Sequence, residues 1–181
     1  MLIRKSFRFE HAHVVRNCTT RRCAFSLHGH SYVVEILLTA SALDRGGMVL
    51  DFGILKGVVH PLIDAWDHAV SFWDQDDPAY IRALKNHSER WIGLPVNPSA
   101  ERMSRVFFVL IDRALTATPF TNGETGVTLD SVIVHENATA SAQCWRRDAY
   151  DPAMGGEIEP NRISFCLLYT SPSPRDRGNH R

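Results

Sequence analysis

Leu27-His28-Gly29-His30 places two imidazoles two residues apart at the start of a stretch that reads as a β-strand. Side chains alternate faces along a strand, so His28 and His30 project the same way. Two neutral imidazoles on one face make two-thirds of a catalytic zinc site, which typically uses three protein ligands and leaves one position open. The third ligand is expected to be a histidine on a neighbouring element. Phe9-Glu10-His11-Ala12-His13 offers two, because His11 and His13 share a face of the preceding strand. The alternative for His28 and His30 taken alone is a plain solvated strand surface.

Other reactive side chains lie around this pair. Cys23 stands five residues before His28 in the segment entering the strand. It reads as a fourth metal ligand, a catalytic thiolate or an inert thiol. A thiolate needs a positive field, which Arg21, Arg22 and a metal would supply. Cys18 is a weaker candidate for the same role. Asp67-His68 pairs a carboxylate with an imidazole, an arrangement that orients the ring for proton transfer. A histidine at a helix C-terminus beside a solvated aspartate is the commoner source of such a dipeptide. Glu136 ends an apolar run, Val132-Ile133-Val134-His135-Glu136. It reads either as a rim carboxylate or as a partner for a guanidine-like edge such as that of a pterin or guanine. Glu101 falls near the start of a helix and suits its N-terminal dipole.

The elements that must position these groups follow from periodicity. Leu2 to His13 and His28 to Ala40 alternate as strands, with a loop from Val14 to Leu27. Asp51 to Trp66 switches to helical spacing, with Ile54, Leu55, Val58, Val59, Leu62, Ile63 and Trp66 on one apolar face. Pro78 to Trp91 reads as a shorter helix, and Asn97-Pro98-Ser99 opens a stronger one. Two more strands are expected at about Val127 to Asn137 and Ser141 to Ala149. This order predicts an α+β fold, an antiparallel sheet with helices on one face. Its open edges favour a homo-oligomer that closes the sheet into a barrel. Residues 1–150 read as one domain and 151–181 as a disordered tail. Leu167 to Asp176 resembles translated sequencing-adapter read-through, so part of that tail is expected to be non-native.

The chain has 181 residues, 44% of them hydrophobic, enough for one domain with its own core. Lys plus Arg and Asp plus Glu both number 20, so no bulk charge draws it to nucleic acid or an anionic membrane. An anionic substrate must be caught by a local basic cluster. The 4 cysteines form no Cys-x-x-Cys pair, which argues against a thiolate zinc knuckle. No apolar run reaches the roughly 18 residues of a membrane span. Met1 leads straight into a strand pattern, with no leader read in front of it. A cytoplasmic protein with reduced thiols is expected.

Six short blocks in this order resemble the 6-pyruvoyl-tetrahydropterin synthase / 6-carboxy-tetrahydropterin synthase family. They are Phe9 to His13; Cys23 with Leu27 to Tyr32; Met48 to Phe52 with Leu55-Lys56; Asp67-His68; Asn97 to Glu101; and Val134 to Glu136. The resemblance covers about Phe7 to Cys144. His11 stands where a small residue is usual, Cys23 is spaced slightly differently from His28, and Asn137 replaces a common Thr. Asp74 to Val96 is longer than in the smallest members, as if a helix were inserted.

The resemblance implies a tunnelling fold, a ββααββ subunit whose sheets join into a barrel, often in a hexamer with active sites between subunits. It selects His13 over His11, so zinc would sit on His13, His28 and His30. It makes Cys23 a thiolate base, assisted by His68 and Asp67. Glu136 becomes the catalytic-site anchor of the pterin ring, with Glu101, Arg21 and Arg22 as further substrate contacts, the arginines at the triphosphate. The implied substrate is 7,8-dihydroneopterin triphosphate. Leu27 to His30 is more like the carboxy-forming members, of 7-deazapurine (queuosine) synthesis, than the pyruvoyl-forming ones. The pyruvoyl-forming enzyme and a non-catalytic pterin- or metal-binding module are the alternatives.

Overall fold

The computed structural model of the protein describes residues 1–166. β1 (Leu2–His13) and β2 (His28–Thr39) form where the sequence alternates, and they pair antiparallel from Leu2↔Thr39 to His13↔His28. Phe7 and Phe9 of β1 and Tyr32, Val34, Ile36 and Leu38 of β2 turn one face of this hairpin into the core. β5 (Thr128–His135) pairs antiparallel with β2, and β6 (Ser141–Trp145) with β5.

Two helices cover that face. α2 (Phe52–Asp64) starts at Asp51, whose carboxylate accepts the Gly53 N–H at 2.6 Å. α4 (Ala100–Thr116) starts at Ser99, whose hydroxyl accepts the Arg102 N–H. Such caps satisfy N–H groups that the first helical turn leaves free. The aromatic centre of the core is Phe9, Trp66 and Phe107, with the last two rings 4.6 Å apart.

The α+β architecture is as expected, but the sheet is mixed rather than antiparallel throughout. Its order is β6-β5-β2-β1, followed outward by β3 (Ala69–Trp73), β4 (Trp91–Leu94) and β7 (Ser164–Phe165). β3 runs parallel to β1 and pairs with it at His11 and Ala12. β4 (Trp91–Leu94) runs parallel to β3, and α3 (Pro78–His87) crosses between them. A small second core of Val70, Phe72 and Leu84 holds this unit together. The segment expected as an insertion, Asp74 to Val96, thus holds α3 and β4, which with the preceding β3 form a β-α-β extension of the sheet beyond β1. Buried parallel strands are apolar on both faces and do not alternate, so β3 and β4 show no strand period in the sequence.

The stretch from Val14 to Leu27, expected as loop, contains a short helix, α1 (Arg21–Phe25). Beyond β6, a one-turn helix α5 (Arg146–Ala149), two 3₁₀ turns and β7 (Ser164–Phe165) follow. Residues 151–166 were expected as disordered tail, yet Ile158 and Ile163 enter the core and β7 pairs with β4. Arg105 of α4 is buried and donates hydrogen bonds to the carbonyls of Asp148, Ala149, Asp151, Met154 and Gly156. A segment held by its own carbonyls needs no hydrophobic period, which is why it reads as irregular. The expectation for Leu167 to Asp176 falls outside the described residues. Among the described residues no helix is long and apolar enough to cross a membrane.

Candidate metal centre and cleft

The end of the β1–β2 hairpin builds the centre. Register sets His13 directly opposite His28 and His11 opposite His30, all on the core face. The ligand atoms of His13, His28 and His30 all lie within 4.8 Å of one another, so the three could hold a metal ion. His13 Nδ1 donates to the Pro98 carbonyl at 2.7 Å, and His28 Nδ1 donates to the Ser26 carbonyl at 2.9 Å. Each bond fixes the ring and its tautomer and leaves the lone pair on Nε2, the usual outer support of a metal-bound histidine; at His13 the Tyr32 hydroxyl also comes within 3.3 Å of that nitrogen. His30 Nε2 is buried without a hydrogen-bond partner. An orphaned buried nitrogen is costly unless something fills the space before it, and a cation ligated by three imidazoles does so. Burial pushes the His13 imidazole down to about 4, against the Pro98 carbonyl that favours the charged ring. The ring is therefore neutral near pH 7, the form a metal requires.

His11 stands apart from this group. Its Nδ1 donates to the Trp66 carbonyl at 3.0 Å, and its ring packs 5.4 Å from Trp66 and 5.8 Å from Phe9. Burial pushes it down to about 3. It is a core histidine, held in place by α2's C-terminal turn.

Glu136 lies just past β5 and reaches over the cluster. Its Oε1 is 3.3 Å from His13 Nε2 and 3.6 Å from His30 Nε2, and accepts the Tyr32 hydroxyl at 3.4 Å. Burial, then the Glu136 charge, raises the Tyr32 phenol well above its ordinary range, so it stays a donor. Tyr32 was absent from the sequence-derived set, although it continues the His28, His30 alternation on the same face. The Pro98 carbonyl had no sequence signal, being backbone.

A cleft of about 580 Å³ opens beside the histidines and is lined by Cys23, His28, His30, Glu101 and Glu136. Cys18 lines it too. Cys23 is half-buried on α1. Glu101 is in the first turn of α4, so it meets both the helix N-terminus and the cleft. Arg21 and Arg22 are exposed on α1 and do not line the cleft; the Arg21 guanidinium lies over the Phe25 ring instead.

Asp67 and His68 form a tight pair elsewhere. His68 Nδ1 donates to Asp67 Oδ2 at 2.7 Å, and Asp67 Oδ1 accepts the Glu10 N–H at 2.9 Å. Although burial opposes it, these bonds hold the Asp67 carboxyl below its ordinary value. His68 has a left-handed backbone (φ 57°) and faces a different cleft, of about 750 Å³, with Glu10, Gly29, Ser31 and Arg90. One chain therefore does not bring His68 to Cys23.

The profile of the family described as 6-pyruvoyl tetrahydropterin synthase matches residues 2–147. The chain belongs to this family. A Helicobacter pylori (strain J99) relative named 6-carboxy-5,6,7,8-tetrahydropterin synthase is 34% identical over 165 residues, 91% of this chain and 82% of the relative. An Aquifex aeolicus protein of the same name is 33% identical, over 78% of this chain and 95% of the relative. Solved structures share the fold at lower identity. Plasmodium vivax 6-pyruvoyltetrahydropterin synthase superposes with a TM-score of 0.58 at 18% identity, covering 81% of this chain and 98% of that one. An uncharacterised Wolinella succinogenes protein gives 0.60 at 17%, with the same coverage. The 6-pyruvoyl tetrahydropterin synthase match ends near β6, while the Helicobacter alignment is long enough to take in much of the Arg105-bound segment as well.

Proposed function

We propose that the chain is a zinc-dependent lyase. It converts 7,8-dihydroneopterin triphosphate, with water, to 6-carboxy-5,6,7,8-tetrahydropterin, acetaldehyde and triphosphate, an early step towards 7-deazapurines such as queuosine. The carrying observation is the His13, His28 and His30 cluster, with its orphaned His30 nitrogen, beside a cleft that holds a thiol and two carboxylates. Relatives named for this carboxy-forming enzyme favour that product over the pyruvoyl one.

Three imidazoles and an open position suit zinc. Zinc bound there would supply Lewis acidity to the oxygens of the substrate side chain. Cys23, as thiolate, takes protons from side-chain carbons and acts as a base. Glu136 accepts the N–H donors of the pterin's guanidine-like edge in a charge-assisted pair, with Tyr32 fixing its second direction. Glu101 offers a further carboxylate in the same cleft. Arg21 and Arg22, on the helix that carries Cys23, are proposed to meet the triphosphate. His68, oriented by Asp67, passes the proton on from Cys23. Because the two line different clefts of one chain, this role calls for a second copy, in keeping with a homo-hexamer whose active sites lie between subunits. The protein is proposed to work in the cytoplasm on this small-molecule substrate, with no nucleic acid or membrane partner.

The test is incubation of zinc-loaded protein with 7,8-dihydroneopterin triphosphate and mass spectrometry of the products. The expected outcome is 6-carboxytetrahydropterin with equimolar acetaldehyde. A 6-pyruvoyl product without acetaldehyde would assign the chain to tetrahydrobiopterin-type chemistry. No turnover at full zinc occupancy would leave a pterin- or metal-binding module.

A further inference from the structure

Arg16 joins three parts of the molecule that are distant in sequence. Its Nε donates to Asp76 Oδ2 at 2.7 Å, just before α3. Its Nη1 donates to the Ala24 carbonyl at 2.7 Å, the residue after Cys23. Its guanidinium carbon lies 4.5 Å from the centre of the Tyr80 ring of α3. Its backbone is clamped as well: the N–H donates to Asn97 Oδ1 at 3.0 Å, and the carbonyl accepts from Asn97 Nδ2 at 2.5 Å. Asn97 immediately precedes Pro98, whose carbonyl orients His13.

The helix that Arg16 grips cannot hold itself. α1 has five residues, far below the roughly 12 at which an isolated helix becomes even marginal. Its N-cap, Thr20, makes no side-chain cap, and Ala24 is its one buried residue. The N–H of Val15, Arg16's neighbour, donates to the Cys23 carbonyl at 3.0 Å. The position of the thiol is therefore set by contacts from outside the helix, and Val15-Arg16 supplies those at Cys23 and Ala24. The anchor at the other end is firm: the Arg16 and Asp76 side chains are only 21% and 9% exposed. An ion pair in that setting is screened far less than one on the open surface. Arg16 itself does not line the cleft.

We propose that Arg16 is a positioning residue: braced on Asp76 and Tyr80 of the β3-α3-β4 unit, its guanidinium holds the helix that carries Cys23 and so sets where the thiol stands in the cleft. The extra unit beyond β1 then has a task in the reaction, to present the brace. This inference rests on the reading of Cys23 as the base.

The experiment compares Arg16→Gln and Asp76→Ala with the wild type and with Cys23→Ala, all zinc-loaded. Misplacing a reacting group by about 1 Å costs up to roughly 100-fold in rate. Both brace variants are expected to lose about 10- to 100-fold in kcat, with KM within about twofold and zinc content unchanged. Amide hydrogen exchange should quicken in residues 20–26 and not in β1 or β2. Unchanged kcat in both variants, or unchanged exchange in residues 20–26, would overturn the proposal. A kcat loss that comes with lost zinc and faster exchange throughout would overturn it too, since the role would then be merely structural. Full turnover by Cys23→Ala would mark a different failure: the thiol is not the base, and the positioning role falls with it.

Discussion

His13 Nδ1 and the Pro98 carbonyl oxygen stand 2.7 Å apart, and this bond brings His13 rather than His11 into the three-histidine group that could hold a metal. It turns His13 Nε2 towards His28 and His30, whereas the bond from His11 to Trp66 ties that ring into the core. His13→Ala, His28→Ala and His30→Ala are each expected to weaken metal affinity at least about 100-fold, more than loss of an outer partner would. His11→Phe keeps ring and volume and is expected to purify with the same metal content as the wild type. Elemental analysis of the four variants is the check. Loss of metal in His11→Phe with retention in His13→Ala would reverse the assignment.

Glu136 is proposed to accept from the pterin; it lines the cleft and stands outside the three-histidine group that could bind a metal. Glu136→Gln keeps the shape and removes the charge. A charge-assisted bond is worth about 1.5–3 kcal/mol, so the dissociation constant for neopterin should rise roughly 10- to 100-fold. Metal content should not change. Neopterin has no triphosphate, so calorimetry with it isolates the ring contact. Unaltered affinity would move the ring anchor elsewhere, with Glu101 the next carboxylate in the cleft.

The candidate metal centre was legible because it is built from strand alternation and one hairpin register, which sequence displays directly. Phe7, Phe9, His11 and His13 on one side of β1, and His28, His30 and Tyr32 on one side of β2, could be read by counting in twos. Strand alternation alone leaves His11 and His13 equivalent, and only the family resemblance separates them, because the difference rests on two backbone carbonyls, of Trp66 and Pro98, far along the chain. The separation of His68 from Cys23 could not be read in the sequence; it arises where β3 joins β1 in parallel at two residues. Ala69 to Trp73 is buried almost throughout and carries no period to distinguish it from a helix segment. Arg21 and Arg22 are read as triphosphate contacts because a leaving triphosphate needs positive charge; within one chain they stand exposed on α1 and outside the cleft lining, a placement no sequence period displays on so short a helix.

Asp44 makes a prediction about acid stability. The Met48 N–H, with the Asn122 amide and the Gly46 N–H, holds its carboxyl below the ordinary value, against the effect of burial. A carboxyl with a lowered pKa in the folded state stabilises the fold above its unfolded pKa of about 3.9. That contribution fades as pH falls through the folded value. The stability gap between the wild type and Asp44→Asn should therefore be widest at neutral pH and shrink below about pH 4. Urea unfolding from pH 7 to pH 3 measures it. A gap that stays constant across this range would mean that the carboxylate's charge plays no part in holding the turn.

Arg105 tests how the segment after β6 is held. Its guanidinium is buried and serves five backbone carbonyls between Asp148 and Gly156, so the cation replaces a sheet or helix ladder as their partner. Arg105→Met keeps the apolar stem and removes every donor. Stranded carbonyls cost about 1–3 kcal/mol each while buried, but this segment lies near the surface and regains water as it loosens. The expected net loss is about 2–4 kcal/mol, which for a domain of this size lowers Tm by roughly 5–15 °C. Amides of residues 151–166 should exchange faster before those of β1 and β2, because β7 and Ile163 depend on the path this segment takes. Arg105 does not line the cleft, so turnover well below the new Tm should match the wild type. A uniform rise in exchange over the whole sheet would instead make the segment part of the same cooperative unit as the β1–β2 hairpin.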